Sequence, residues 1–262
     1  MDEILIKEIL ERYSAHYNNL SFINLDPIQI PHRFTKPEDI EIIGFWVAML
    51  SWGNRKTIIS KGTDLCRLME DAPHDFVLNH LDSDRKKFST FIHRTFNAAD
   101  SFYFLEFLQN WYGKNKSLES AFLPTFHHQD LKLEVLLEQF YHNFFSMDLV
   151  PGRTRKHVSR PSSGSRCKRL LMYLRWMVRK DQNGVDFGLW NNIKPSQLMI
   201  PLDVHVERTA RRLGMLTRKQ LDWKSVIEIS DFCSRLRPED PAYYDYGLFG
   251  ISLENKILEK NI

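Results

Sequence analysis

Two side chains in this sequence have both the chemistry and the setting for covalent work on a substrate: Lys168 and Asp203. Lys168 follows Pro161-Ser162-Ser163-Gly164-Ser165-Arg166-Cys167, a run of small residues and one cation leading into a helix-patterned stretch. Exposed amides at a helix start, eased by Gly and Ser, suit a phosphate. Ser163, Gly164, Ser165, Arg166 and Arg169 are therefore candidate contacts to a polyanion, with Arg160 just ahead of them. Arg166 and Arg169 flank Lys168, and their like charge disfavours its ammonium form, one way to prepare a nucleophilic amine. Plain contact with phosphate or solvent is the alternative for this lysine.

Asp203 lies in Ile200-Pro201-Leu202-Asp203-Val204-His205-Val206, which continues to Arg212-Leu213-Gly214. Pro201 cannot continue a preceding helix, and Asp203 is a good cap for the next one. Val206, Ala210 and Leu213 fall on one apolar face. Arg208, Arg211 and Arg212 gather towards the end, where cations suit the helix dipole, and Gly214 supplies the stop. A helix cap alone accounts for Asp203 at about 1 kcal/mol; a carboxylate opposite Lys168 is the sharper expectation. His205 is a further candidate, weighed against a hydrogen-bonded structural histidine.

Two other groupings carry weaker signals. Leu50-Ser51-Trp52-Gly53-Asn54 places an aromatic and an amide at a helix end. Trp52 and Asn54 could wedge between bases or fill a vacated base position, or merely end a buried helix. His127 and His128 with Glu138 and His142 can be drawn as a metal site, but no H-E-x-x-H spacing fixes them. They read as surface residues.

The elements that must position these residues are helical. Residues 4–17 form an amphipathic helix, with Ile6, Ile9, Leu10 and Tyr13 on one face. Thr35 to Asp39 opens a helix over 40–52 that is apolar almost all round, hence buried on every side. Helical spacing recurs over 55–69, 76–81, 88–96, 98–111, 117–123 and 131–145. Residues 150–165 read as a long loop of the kind that is often functional. Residues 166–179 form a patterned helix with Leu170, Leu171, Leu174, Met177 and Val178 inside and the arginines outside. A helix over 222–236 follows, then a last one capped by Asp240-Pro241. No alternating β-branched run appears. The fold class is all-α, with about a dozen helices.

Composition narrows the partners. Ten Lys and Arg lie between Arg153 and Lys180 with no acid among them. Setting those ten aside leaves 26 basic against 33 acidic residues, so one segment carries the positive field of an otherwise acidic chain. That is the footprint of a polyanion partner. No apolar run approaches the roughly 20 residues of a membrane span, and Met1-Asp2-Glu3-Ile4 does not resemble a secretory signal. Cys66, Cys167 and Cys233 lack C-x-x-C spacing, which argues against a disulfide framework, a zinc site or an iron–sulfur cluster and for a reducing cytoplasm.

The stretch Leu202-Asp203-Val204-His205-Val206 through Arg212-Leu213-Gly214 resembles a signature of the helix-hairpin-helix DNA glycosylases. Endonuclease III-like members have Thr where this chain has Val204. Ile200-Pro201-Leu202-Asp203 is similar to the Ile-Pro-Val-Asp of the archaeal 8-oxoguanine branch. Taken with Lys168-Arg169-Leu170, the chain looks most like a bacterial branch of that superfamily. Resemblance in the order of elements covers about residues 36–250, and only the Asp203 motif is specific. Leu50-Ser51 stands where the family has a Leu-Ser before a turn that probes the DNA stack. The family's Leu-Pro-Gly-Val-Gly hairpin would be Pro161-Ser162-Ser163-Gly164-Ser165, with part of the glycine pattern kept. Its four-cysteine iron–sulfur loop has no counterpart, since no cysteine follows Cys233.

The resemblance implies two helical lobes with a cleft between them, in one glycosylase-like unit over 1–262. Residues 36–165 would be the central lobe, and 1–35 with 166–262 the second. It implies a base-excision repair enzyme with abasic-site lyase activity, working as a monomer on double-stranded DNA without a cofactor. Asp203 and Lys168 would be catalytic and the substrate a flipped damaged purine such as 8-oxoguanine. A non-catalytic nucleic-acid-binding protein with an eroded hairpin is the alternative; a helical interaction protein with no nucleic-acid role is a third.

Overall fold

The computed structural model describes residues 2–24, 26–124 and 131–260, with side chains as far as residue 254. Among the described residues there are twelve α-helices and no strand, only an isolated bridge between His93 and Phe96. The chain is all-α. It divides into two compact units: Leu25–Arg160, and Met1–Asn24 with Pro161–Ile262.

The chain begins with α1 (Glu3–Tyr17), capped by Asp2, and the short α2 (Leu20–Ile23), capped by Asn19. The middle unit then contributes α3 (Pro37–Leu50), α4 (Arg55–Leu68), α5 (Pro73–Asn79), α6 (Asp82–Arg85), α7 (Ala98–Tyr112) and α8 (Leu133–Phe144). Its centre is α3. Pro37 takes the first turn, Glu38 and Asp39 face the positive end of the dipole, and the residues from Ile40 to Leu50 are all buried. Phe45 stacks on Phe104 at 5.4 Å, and Trp46 packs on Phe88 and Phe104. Burying each such ring is worth about 1.5–3 kcal/mol. Glu41 is buried in the same helix, and its carboxylate accepts from Tyr112 Oη, Ser117 Oγ and Leu118 N–H at 2.6–2.7 Å. Each donor offsets part of its desolvation.

Several expectations about this unit are corrected. The helix expected to open over Thr35 to Asp39 starts at Pro37, with Lys36 rather than the Thr35 hydroxyl in the cap position and no side-chain bond there. Residues 88–96 are not a helix. A 3-10 turn, Lys86–Thr90, is followed by a tight turn from His93 to Phe96 with Arg94 at φ 54°. Phe88, Phe91 and Phe96 are buried by that folding, which mimics helical spacing in the sequence. Residues 117–123 contain a 3-10 turn, Leu118–Ala121, and the expected loop over 150–165 holds two more, Gly152–Lys156 and Pro161–Ser163.

The second unit adds α9 (Lys168–Val178), α10 (Val204–Leu213), α11 (Trp223–Leu236) and α12 (Tyr244–Lys260) to α1 and α2. The two ends of the chain pack together, α1 on α12. A Cβ at Gly247 would lie 2.6 Å from Ser14 Oγ, and one at Gly250 would overlap the Tyr17 ring. Only glycine permits that approach. The arginines expected on the outside of this helix are not all there: Arg175 in α9 and Arg179 at its end are 4% and 2% exposed. Carboxylates from the loop that follows the helix and from residues 240–245 draw them in. Asp240 is one of these and gives no side-chain cap to the turn it precedes.

Candidate functional site

The segment before α9 is held in an unusual conformation. Gly164 has φ 75°, and Cys167, the residue before the helix, has φ 47°. A left-handed non-glycine residue stores strain and persists only where its surroundings impose it. Here the Cys167 N–H donates to Ser165 Oγ at 3.2 Å, and the Gly164 carbonyl accepts from the Trp223 N–H of α11 at 3.2 Å. Ser163 and Gly164 stay exposed at the tip, with Ser165 and Arg166 half-buried behind them. Arg166 Nη1 donates to the Leu202 carbonyl at 3.3 Å, tying this segment to the backbone one residue before Asp203.

Asp203 caps α10. Its Oδ1 accepts from the N–H groups of His205 at 2.8 Å and Val206 at 3.0 Å. Its Oδ2 lies 4.0 Å from Lys168 Nζ. The two side chains are 27% and 28% exposed, so each reaches solvent. The expected body of α10 is present as well: Val206, Ala210 and Leu213 are buried, and Gly214 ends the helix at φ 76°. Arg208 is exposed, one turn beyond the exposed Val204. His205 turns to α12, with Nδ1 at 3.0 Å from Ser252 Oγ and its ring edge on Phe249. It is held as a hydrogen-bonded structural residue.

A cluster of charge that sequence reasoning missed lies along α9. Arg175 pairs with Asp245 and, through Nε, with Asp186 at 3.3 Å. Arg179 pairs with Asp186, Asp240 and Asp181 at 3.2, 2.9 and 2.7 Å. Tyr246 Oη donates to Asp186 at 2.7 Å, and the Arg175 guanidinium lies 4.5 Å over the Tyr246 ring. Burial raises the Asp245 carboxyl to about 6; the Arg175 charge opposes that rise and the Asp203 charge adds to it. Asp245 carried no local signal. The cations of α9 at a shared helical face were the one clue that buried acids had to exist.

The remaining candidates have other settings. Arg169 is half-buried, and burial brings its guanidinium down to about 10. Arg160, Trp52 and Asn54 belong to the middle unit. Arg160 lies 4.5 Å over the Tyr141 ring and 4.0 Å from Glu138. Arg153 pairs with the buried Asp100, which also meets His157 at 3.2 Å and Thr154 at 2.8 Å. Trp52 is half-buried against His93 and His157. Asn54 Oδ1 caps α4 by accepting from Lys56 and Thr57. The basic run from 153 to 180 is thus not one open cationic face: much of it is spent on internal carboxylates and rings. His127 and His128 lie outside the described residues, and among the described residues no group of His, Cys, Asp and Glu is arranged to hold a metal ion.

No helix among the described residues is long and apolar enough to cross a membrane. No curated protein and no solved structure matches the chain. A family model described as "Protein of unknown function (DUF2400)" matches residues 26–254, most of the sequence. The chain therefore belongs to the DUF2400 family.

Proposed function

We propose that this protein is a DNA glycosylase of the helix-hairpin-helix kind with abasic-site lyase activity. It acts as a cytoplasmic monomer on a damaged purine flipped from double-stranded DNA, and it needs no iron–sulfur cluster. The observation that carries this reading is the approach of Lys168 Nζ to Asp203 Oδ2 at 4.0 Å, across 35 residues of sequence, with both groups open to solvent. A cap needs only one carboxylate oxygen, and Asp203 gives Oδ1 to the cap. Oδ2 remains for chemistry.

In this mechanism Lys168 gives up a proton to Asp203, and its lone pair forms a bond to the sugar C1′. The C1′–N bond to the base breaks, its electron pair leaves with the base, and the base takes up the proton that Asp203 had accepted. Ring opening yields an iminium between Lys168 and C1′. Loss of a C2′ proton then expels the 3′ phosphate, and water releases the sugar from the lysine. Returned to a carboxylate by the proton transfer to the base, Asp203 stabilises the positive charge of the iminium. Ser163, Gly164, Ser165, Arg166, Arg169 and Arg208 hold phosphates.

The test is base release and strand cleavage on duplexes carrying 8-oxoguanine and other damaged purines. Wild type is expected to act on at least one, with activity lost in Lys168→Gln and Asp203→Asn. Salt-dependent duplex binding without action on any lesion would instead favour a non-catalytic nucleic-acid-binding protein.

A further inference from the structure

Lys168 and Arg175 stand at i and i+7 on one stripe of α9, and Arg179, the residue that ends the helix, follows at i+11. Each meets carboxylates from other elements: Asp203 on Lys168, Asp245 and Asp186 on Arg175, and Asp186, Asp240 and Asp181 on Arg179. The stripe runs from solvent into the core, since Lys168 is 28% exposed and the two arginines almost fully buried. Its carboxylates outnumber its cations where water screens little. Asp245, on α12, is held by Arg175 two turns along α9 from Lys168, and α12 packs on α10, the helix that Asp203 caps.

We propose that Asp245 is a positioning residue of the Lys168–Asp203 site, a buried carboxylate locked by Arg175 that acts on the pair through its charge. Its consequence for catalysis rests on the glycosylase reading; the electrostatic link does not.

The surroundings of Asp245 support this role. Burial is the main cause of its raised titration near 6, Asp203 adds to the rise, and Arg175 and Lys168 oppose it. The buried Cys233 thiol of α11 is pushed up by burial first and by the Asp245 charge second. Asp186 reaches it through the shared Arg175. On the α1 side, Glu11 is turned to Tyr244 and Arg237 instead. Below about pH 6 Asp245 is neutral and leaves the pair to itself. Above it, the carboxylate attracts the Lys168 ammonium and repels the Asp203 carboxylate.

Carbon-13 NMR titration of the Asp245 carboxyl in wild type, Asp203→Asn and Lys168→Gln tests the link. Asn is as good a helix cap as Asp, so the first variant keeps α10. The midpoint is expected to fall by about half a unit in Asp203→Asn and to rise by about as much in Lys168→Gln. The same midpoint in all three proteins overturns the proposal. In base release from a damaged duplex, Asp245→Asn is expected to lose the inflection near pH 6 from its pH–rate profile, which a purely structural role would leave in place; an unchanged inflection also overturns it. If wild type releases no base from any lesion, the glycosylase reading fails and the titration alone decides the link.

Discussion

Asp203 divides its carboxylate between two tasks: Oδ1 closes the first turn of α10 while Oδ2 faces Lys168 Nζ at 4.0 Å. Cap and chemistry are therefore separable by substitution. Asp203→Asn keeps a capping oxygen and is expected to fold with wild-type stability. Asp203→Ala is expected to lose about 1 kcal/mol. Both are expected to lose base release, so urea unfolding beside an activity assay distinguishes the two tasks.

Arg175 is the buried hinge of the ionic stripe. Replacing it by Met leaves the Asp186 and Asp245 carboxylates without their shared cation. The expected cost is about 3–5 kcal/mol, because an uncompensated buried charge is far worse than an absent pair. Denaturant unfolding measures it, and a loss below about 1 kcal/mol would mean that the network contributes little.

Asp245 also makes stability depend on pH. Its carboxyl is raised from the ordinary 3.8 to about 6 in the folded chain, chiefly by burial. Between those values the folded state holds a proton that the unfolded state has released. The Asp245 contribution to stability therefore falls as pH climbs from about 4 to about 6 and is level above that. Asp240, also raised, acts in the same sense, whereas Asp100 and Asp181 are lowered and act in the opposite one. The clean readout is the difference between wild type and Asp245→Asn across that window, which is expected to grow in favour of Asn with rising pH.

Arg208 is exposed on α10. Arg208→Ala is expected to change stability by less than about 0.5 kcal/mol. It should lower the salt dependence of duplex binding by about one ion. Fluorescence anisotropy at several salt concentrations reads this directly, and an unchanged slope would remove Arg208 from the DNA contacts.

Gly250 tests the junction of the chain ends. A methyl group there would overlap the Tyr17 ring of α1. Gly250→Ala is expected to cost about 1–3 kcal/mol by overpacking, seen as a lower thermal midpoint.

What could be read from the sequence was what local physics decides. The cap, apolar face and glycine stop of α10 depend on residues within a few turns of each other, and the structure has all three. The burial of α3 followed from its lack of a polar face. Arg175 and Arg179 were misplaced because a charged residue belongs outside unless carboxylates converge on it, and only Asp181 and Asp186 of their partners are near in sequence. Their partners Asp245 and Asp240 are 70 and 61 positions distant. The turn around Arg94 was hidden for a different reason: Phe88, Phe91 and Phe96 are buried with helix-like spacing while the backbone folds back on itself. Lys168 and Asp203 were each legible as reactive types in suitable settings, but the distance between them is a tertiary fact. Asp245, inside an aromatic run with no motif, was legible only through the charge it neutralises.

The most direct measurement is borohydride reduction of wild-type protein with a duplex carrying one abasic site, followed by mass spectrometry of the peptides. The expected result is one covalent adduct, with the sugar remnant on Lys168 and no adduct in Lys168→Gln. No adduct in wild type, or an adduct that persists undiminished in Lys168→Gln, would contradict the assignment of Lys168 and Asp203 as the reacting pair.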